Sequence, residues 1–204
     1  MKRLALSTLF LVSAASLAAA DFTGGIQLGP AFPLGDMRDL ANRSVGAQLV
    51  FFGRWDLGAG SMVRARLEGT SAKGTPKYLN SPFGTLTNAD GVQITAATTG
   101  LGADYLWYLE GSPARGAYFG TGLSYASNRV DLSLPVASGG TNNTSYNSGG
   151  LGYGFYAGYQ FSPRWSMELV YRASTFNKDI DVKGQTGTFR YTMPSLSVVA
   201  GYTF

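Results

Sequence analysis

Leu151-Gly152-Tyr153-Gly154-Phe155-Tyr156-Ala157-Gly158-Tyr159-Gln160-Phe161 decides the fold class, because its side chains alternate with a period of two. Leu151, Tyr153, Phe155, Ala157, Tyr159 and Phe161 fall on one face. Gly152, Gly154, Tyr156, Gly158 and Gln160 fall on the other. One face is oily and the other is small or polar, which is the pattern of a strand between two unlike media. The end of the chain repeats it: Leu196, Val198, Ala200, Tyr202 and Phe204 alternate with Ser197, Val199, Gly201 and Thr203. In two further segments the second face is charged. Val63, Ala65 and Leu67 oppose Arg64, Arg66 and Glu68, while Trp165, Met167, Leu169 and Tyr171 oppose Ser166, Glu168, Val170 and Arg172.

The opening of the chain follows a different rule. Lys2 and Arg3 precede an apolar run over 4–17 that ends in Ala18-Ala19-Ala20, so residues 1–20 read as a secretory signal peptide with Ala18 and Ala20 at the cleavage pattern. The mature chain is expected to span 21–204 and to leave through the Sec pathway, since no twin arginine is present and the absence of Cys excludes a lipoprotein anchor. Without Lys2 and Arg3 the 16 basic residues fall to 14 against 12 acidic, so the sequence pI of about 9.3 carries little weight. No basic cluster interleaved with aromatics remains, and no nucleic-acid partner is expected.

The 204 residues include 28 Gly, 12 Phe and 12 Tyr but no Cys and no His. Disulfide scaffolds, thiolate metal sites, His-ligated zinc and Ser-His-Asp triads are thereby excluded. The Gly-rich runs do not complete G-x-G-x-x-G, no G-x-S-x-G elbow exists, and no Lys is followed by Ser or Thr as a phosphate loop requires. Asp36 with Asp39 and Asp179 with Asp181 read as solvated loop charge. No enzyme activity, cofactor or metal is expected.

Beyond residue 21 no run reaches the length of a membrane helix. Eight strands are expected at about 21–30, 45–55, 61–70, 92–109, 117–126, 149–161, 165–176 and 188–204. Their connections alternate long and short: 31–44, 71–91, 127–148 and 177–187 are long, whereas 56–60, 110–116 and 162–164 are short. Tight periplasmic turns, long outer loops and an even strand number are the asymmetry of an outer-membrane barrel. Aromatic placement agrees. Trp55, Trp107 and Trp165 each sit beside a short turn and form one girdle, with Tyr125, Tyr171, Phe176, Phe189 and Tyr191 as the opposite rim.

The fold class is therefore all-β, an eight-stranded antiparallel transmembrane up-and-down barrel. The chain resembles the small outer-membrane barrels of the OmpA-like, OmpX-like and opacity-protein families. The resemblance is carried by Tyr202-Thr203-Phe204, by Gly158-Tyr159-Gln160-Phe161-Ser162-Pro163-Arg164-Trp165 and by Leu169-Val170-Tyr171-Arg172. It implies that Tyr202 and Phe204 are the signal read by the barrel-assembly machinery, that periplasmic chaperones escort the chain, and that outer-membrane lipid and lipopolysaccharide surround it. The chain stops at Phe204, so no periplasmic cell-wall-binding domain is expected.

Eight strands leave an interior that side chains fill. Parity places Arg54, Arg64, Arg66, Glu68, Asp104, Glu168 and Arg172 inside as an ion-pair network, with Arg64 and Glu168 at one depth and Arg66, Glu68, Asp104 and Arg172 a layer further out. Gly100, Gly102, Gly120, Gly122, Gly152, Gly154 and Gly158 share that parity and leave room for the long side chains. A bulge near Pro194, between Met193 and Leu196, is expected to shift the parity of the last strand.

Three functions fit. The first is a non-enzymatic envelope protein whose polar outer loops bind a surface ligand in adhesion. The second is a narrow channel or lateral-release transporter for small or hydrophobic molecules, as in OmpW-like proteins, which an apolar outer half of the lumen would favour; Val130, Leu132, Leu134, Pro135 and Val136 are the apolar cluster outside the expected strands. The third is a secreted soluble binder of lipocalin type, with the oily face inward and Arg64, Glu68 and Glu168 outward.

Overall fold

A computed structural model of the chain describes residues 22–41, 44–75, 78–81, 84–87, 92–136, 140–182 and 185–204; the expected signal peptide and its cleavage residues Ala18 and Ala20 lie outside them. The described elements are β1 (Phe22–Pro33), α1 (Gly35–Leu40), β2 (Gly46–Gly58), β3 (Ser61–Gly74), β4 (Tyr78–Ser81), β5 (Gly84–Thr87), β6 (Gln93–Tyr108), β7 (Gly116–Val136), β8 (Gly140–Gln160), β9 (Trp165–Val182), β10 (Gln185–Thr192) and β11 (Ser195–Thr203). Eight of the strands, β1, β2, β3, β6, β7, β8, β9 and β11, pair antiparallel in that order. The ring closes where β1 meets β11, from Gly25↔Thr203 to Pro33↔Ser195. Closure follows from the solvent: in hydrocarbon no water satisfies a free strand edge, so every backbone donor and acceptor must find a neighbouring strand.

The alternation read from the sequence becomes an inside and an outside. On β3, Met62, Arg64, Arg66, Glu68, Thr70 and Ala72 are buried in the lumen, while Leu67 on the other face is exposed. On β8, Leu151, Tyr153 and Phe155 face outward and Gly152, Gly154 and Tyr156 inward. Oily side chains outside and charge inside reverse the order a soluble lipocalin-type binder requires. Trp55, Trp107 and Trp165 are outward beside the three short turns, where Phe22 packs on Trp55 at 5.1 Å and Trp165 on Tyr202 at 4.9 Å between ring centres.

The outer connections differ from the expected loops. Residues 127–148 are mostly strand: β7 and β8 each run 21 residues and pair to Val136↔Gly140, about twice what a crossing needs. Across 177–187, β9 continues into a ladder with β10, and 71–91 holds the end of β3 and the β4–β5 hairpin. The first connection carries α1, a helix in a chain read as all strand.

The expected bulge at Pro194 is absent. Thr192↔Thr175 on one side of the break and Ser195↔Arg172 on the other keep the same register, so parity never shifts. Met193 instead points into the lumen, and the ladder is merely interrupted because proline has no N–H to donate. Phe176 also departs from expectation: it is buried inside rather than placed in the outer aromatic rim, and Tyr191 packs against the same interior cluster. The side chain of Phe189 lies outside the described residues.

The turn between β2 and β3 identifies one strained position. Ala59 and Gly60 form a two-residue hairpin loop with φ of 51° and 73°, preceded by Gly58 whose N–H donates to Asp56 Oδ1 at 2.8 Å. A left-handed alanine costs roughly 1–2 kcal/mol, less for asparagine. Ala59→Asn is expected to raise the temperature at which the folded band disappears from a heat-modifiability gel; an unchanged or lower temperature would contradict this account of the turn.

Candidate functional site: a charged lumen under an apolar cap

Three inward charges on one strand face begin the site. Arg64, Arg66 and Glu68 alternate along β3, and Asp104 on β6 stands directly opposite Arg64. Glu168 and Arg172 reach in from β9 across the lumen. Arg64 donates through Nε to Asp104 Oδ2 at 2.8 Å and clasps Glu168 with Nη1 and Nη2 at 2.9 and 3.2 Å. Arg66 donates to Glu68 at 3.0 Å and also pairs with Asp104, and Arg172 pairs with Glu68. The result is one chain of strictly alternating sign, Glu168–Arg64–Asp104–Arg66–Glu68–Arg172. Asp104 therefore lies beside Arg64 and links the two layers, rather than sitting a layer further out.

Tyr156, on β8, completes the cluster. The guanidinium carbons of Arg64, Arg66 and Arg172 lie 4.8, 5.4 and 5.7 Å from its ring centre, so three cations share one π face or edge. Tyr118 donates its hydroxyl to Glu168 at 2.8 Å and packs on Tyr108 at 4.8 Å. Neither ring was assigned a role from sequence. The available signal was Gly154-x-Tyr156-x-Gly158 on the inward face, a large ring between two glycines.

Arg54 departs from the expected network. It donates to Thr23 Oγ1 at 3.0 Å, Gln160 Oε1 at 3.3 Å and the Pro163 carbonyl at 3.4 Å. Among the described residues no carboxylate lies within ion-pair distance of it. It closes the short-turn end of the lumen as a hydrogen-bonded cation, neutral acceptors replacing water.

The glycines explain how six long charged side chains fit. Register places Gly102 opposite Arg66, Gly100 opposite Glu68, Gly122 opposite Asp104, Gly154 opposite Arg172 and Gly158 opposite Glu168. A Cβ at Gly102 would come within 2.9 Å of the Arg66 guanidinium and 2.7 Å of the Leu123 carbonyl.

Above the charges the lumen changes character. Thr70, Thr98, Ser124, Ser174 and Ser195 line a cavity of about 20 Å³, room for a single water, whose floor is Glu68 and Arg172 and whose roof is Met37 and Met193. The roof belongs to an apolar cluster of Ala72, Ile94, Ala96, Val130, Phe176 and Met193, into which α1 inserts Met37 and the residue just after the helix, Ala41, also packs. The helix is tied down by Asp36, which accepts from the Thr192 N–H and hydroxyl at 2.9 Å each, and by the Leu34 N–H on the Pro194 carbonyl at 2.9 Å. Of the apolar residues expected in the third loop, Val130 and Leu132 join this cap, Leu134 is exposed, and the side chain of Val136 lies outside the described residues.

Removing one partner from such a buried chain leaves an uncompensated charge, at a cost of about 3–5 kcal/mol. Glu168→Ala is expected to lower the barrel's unfolding temperature more than Arg172→Ala, since Glu168 accepts three hydrogen bonds, two from Arg64 and one from Tyr118, whereas Arg172 pairs with Glu68 alone among the described residues. In a double-mutant cycle, adding Arg64→Ala to Glu168→Ala should recover part of the loss, whereas simple additivity would show that the pair contributes nothing. Gly102→Ala should also destabilise, with no charge altered.

No family model matches the chain, and no curated protein sequence matches it. Among solved structures, a major outer-membrane protein of Thermus thermophilus superimposes with a TM-score of 0.53 at 18% identity, covering 90% of this chain and 100% of that one. Ail, the attachment invasion locus protein of Yersinia pestis, crystallised with the heparin analogue sucrose octasulfate, gives 0.52 at 12% over 90% and 97%. The N-terminal β-barrel domain of Pseudomonas aeruginosa OprF gives 0.51 at 9% over 89% and 97%. Identities this low speak for architecture, and the architecture they share with the closed, inward-charged ring described above is that of the small eight-stranded outer-membrane β-barrels.

Proposed function

We propose that the chain is a non-enzymatic protein of a Gram-negative outer membrane whose barrel supports the envelope and whose outer hairpins bind a surface ligand. Export through the Sec pathway with loss of residues 1–20 belongs to this reading. So does recognition of Tyr202 and Phe204 by the barrel-assembly machinery, with chaperones on the way and lipid and lipopolysaccharide around the finished belt. The outward, exposed ring of Phe204 supports that role, as does its N–H, which bonds the Gly24 carbonyl at 2.9 Å at the closing seam.

One observation carries the surface-interaction reading. The β8–β9 ladder runs only from Gln160↔Ser166 to Gly152↔Ser174, whereas β8 stays paired with β7 out to Gly140↔Val136. Beyond Gly152 the hydroxyl of Ser148 still donates to the Asn177 carbonyl on β9 and accepts from its N–H, and among the described residues the outermost stretch of β8, 140–147, has a ladder on the β7 side only. Its sequence, Gly140-Thr141-Asn142-Asn143-Thr144-Ser145, holds no Lys or Pro of the kind that normally blunts an edge. Such an edge accepts an extended segment of another protein by strand addition. The filled lumen supports the same reading, since among the described residues the charge network and the apolar cap both lie across it.

A second reading, uptake of a small apolar molecule, is favoured by the apolar outer end of the lumen. It requires α1 to withdraw Met37 and then either the charge chain beneath to part, for a channel, or two strands to separate, for lateral release.

Cells displaying the barrel are expected to adhere to a surface that presents extended polypeptide, and Asn143→Lys with Asn147→Lys on the outer half of β8 should cut that adherence severalfold while the barrel remains heat-modifiable. Unchanged adherence would remove the edge from the mechanism. Faster uptake of an apolar solute by Met37→Ala cells, without any effect of the β8 pair, would favour the second reading.

A further inference from the structure

The lipid-facing side of the barrel is not evenly covered. Ala157 on β8 is small and flanked by Phe119 on β7 and Leu169 on β9, so the surface dips there. Two shallow, open depressions of about 340 and 360 Å³ share these three residues. One extends towards the short turns past Phe161 and Met167, the other towards mid-membrane past Phe155 and Tyr171. Together they form one apolar groove that rises from the periplasmic rim along the strand direction.

The rim end of the groove is cationic. Gly116, the first residue of β7, pairs with Gln160, the last of β8. Arg115 therefore sits beside the turn that begins at Phe161 and ends at Arg164. Both arginines are exposed, and neither is in an ion pair among the described residues. The two turns carry one acid, Glu110, against these two cations.

We propose that this groove is a phospholipid site: one acyl chain lies along Ala157 between Phe119 and Leu169, and an anionic headgroup of the periplasmic leaflet is held by Arg115 and Arg164. The inference rests on the membrane assignment of the fold. Arginine forks match phosphate oxygens, and the length of the groove suits a flexible chain rather than the broad, flat contact of a second barrel.

The test is native mass spectrometry of the folded full-length mature barrel in detergent, offered phosphatidylglycerol or phosphatidylcholine, with a heat-modifiability gel for every variant. The wild type should retain one phosphatidylglycerol in clear excess over phosphatidylcholine. Ala157→Leu fills the groove from the lipid side and should lower retention roughly tenfold, the worth of about two buried methylenes. Ala103→Leu, at another lipid-facing alanine on β6, should change nothing. Arg115→Gln with Arg164→Gln, on solvent-exposed turns, should abolish the headgroup preference and keeps the proposal testable if Ala157→Leu does not fold. Equal retention by wild type and Ala157→Leu, or an unaltered preference in the arginine variant, would overturn it. So would a wild-type dimer that Ala157→Leu dissociates, which would make a second copy the occupant. Loss of the heat-modifiable band in the wild type would instead strike the membrane assignment itself.

Discussion

A strand in lipid must be paired on both edges, and a ring of only eight such strands encloses a space that must be filled. These two constraints govern the structure. The first turns an alternating sequence into a closed barrel with β1 against β11; the second decides what the inward face has to contain. Hydrophobic residues would fill the space equally well, yet this chain places seven charges there. Six are tolerable because each finds an opposite sign and because Tyr156 lies against three of the guanidiniums, and the seventh, Arg54, is held by neutral acceptors.

The placement of those charges is a property of register rather than of local sequence. Arg64 and Glu168 are 104 residues apart and meet only when the ring has closed. Gly100, Gly102 and Gly122 remove a Cβ where Glu68, Arg66 and Asp104 lie, while Gly154 and Gly158 make room for the rings of Tyr156 and Tyr118 that pack against the charges. The Gly-rich strands that weaken β propensity are therefore what makes a charged core of this width packable.

Much of this was legible in the sequence. Period two, the Trp residues beside short turns and the inward parity of Arg64, Arg66, Glu68, Asp104, Glu168 and Arg172 required no coordinates. The partners were not legible, because parity assigns a face but leaves the rotation of one strand against another open; hence Asp104 appeared a layer away from Arg64, and Arg54 appeared to belong to the network. Residues 127–148 are expected as a long outer connection, yet Val130 and Leu132 alternate with Arg129, Asp131 and Ser133 as a strand does. Phe176 and Met193 looked like rim and bulge residues because nothing local reveals that a helix from another loop will cover the mouth and call for an apolar lining.

The outer part of the molecule follows from the same interior. A lumen closed by charge at mid-depth and by Met37 above is what the proposed surface-interaction role of the exposed hairpins, above all the half-paired β8, rests on. Single-channel recording of the purified, folded barrel in a planar bilayer tests the closed lumen most directly. The account predicts no steady conductance from the wild type and the appearance of conductance when Glu168→Ala and Met37→Ala are combined. A stable, ion-selective wild-type channel would contradict it.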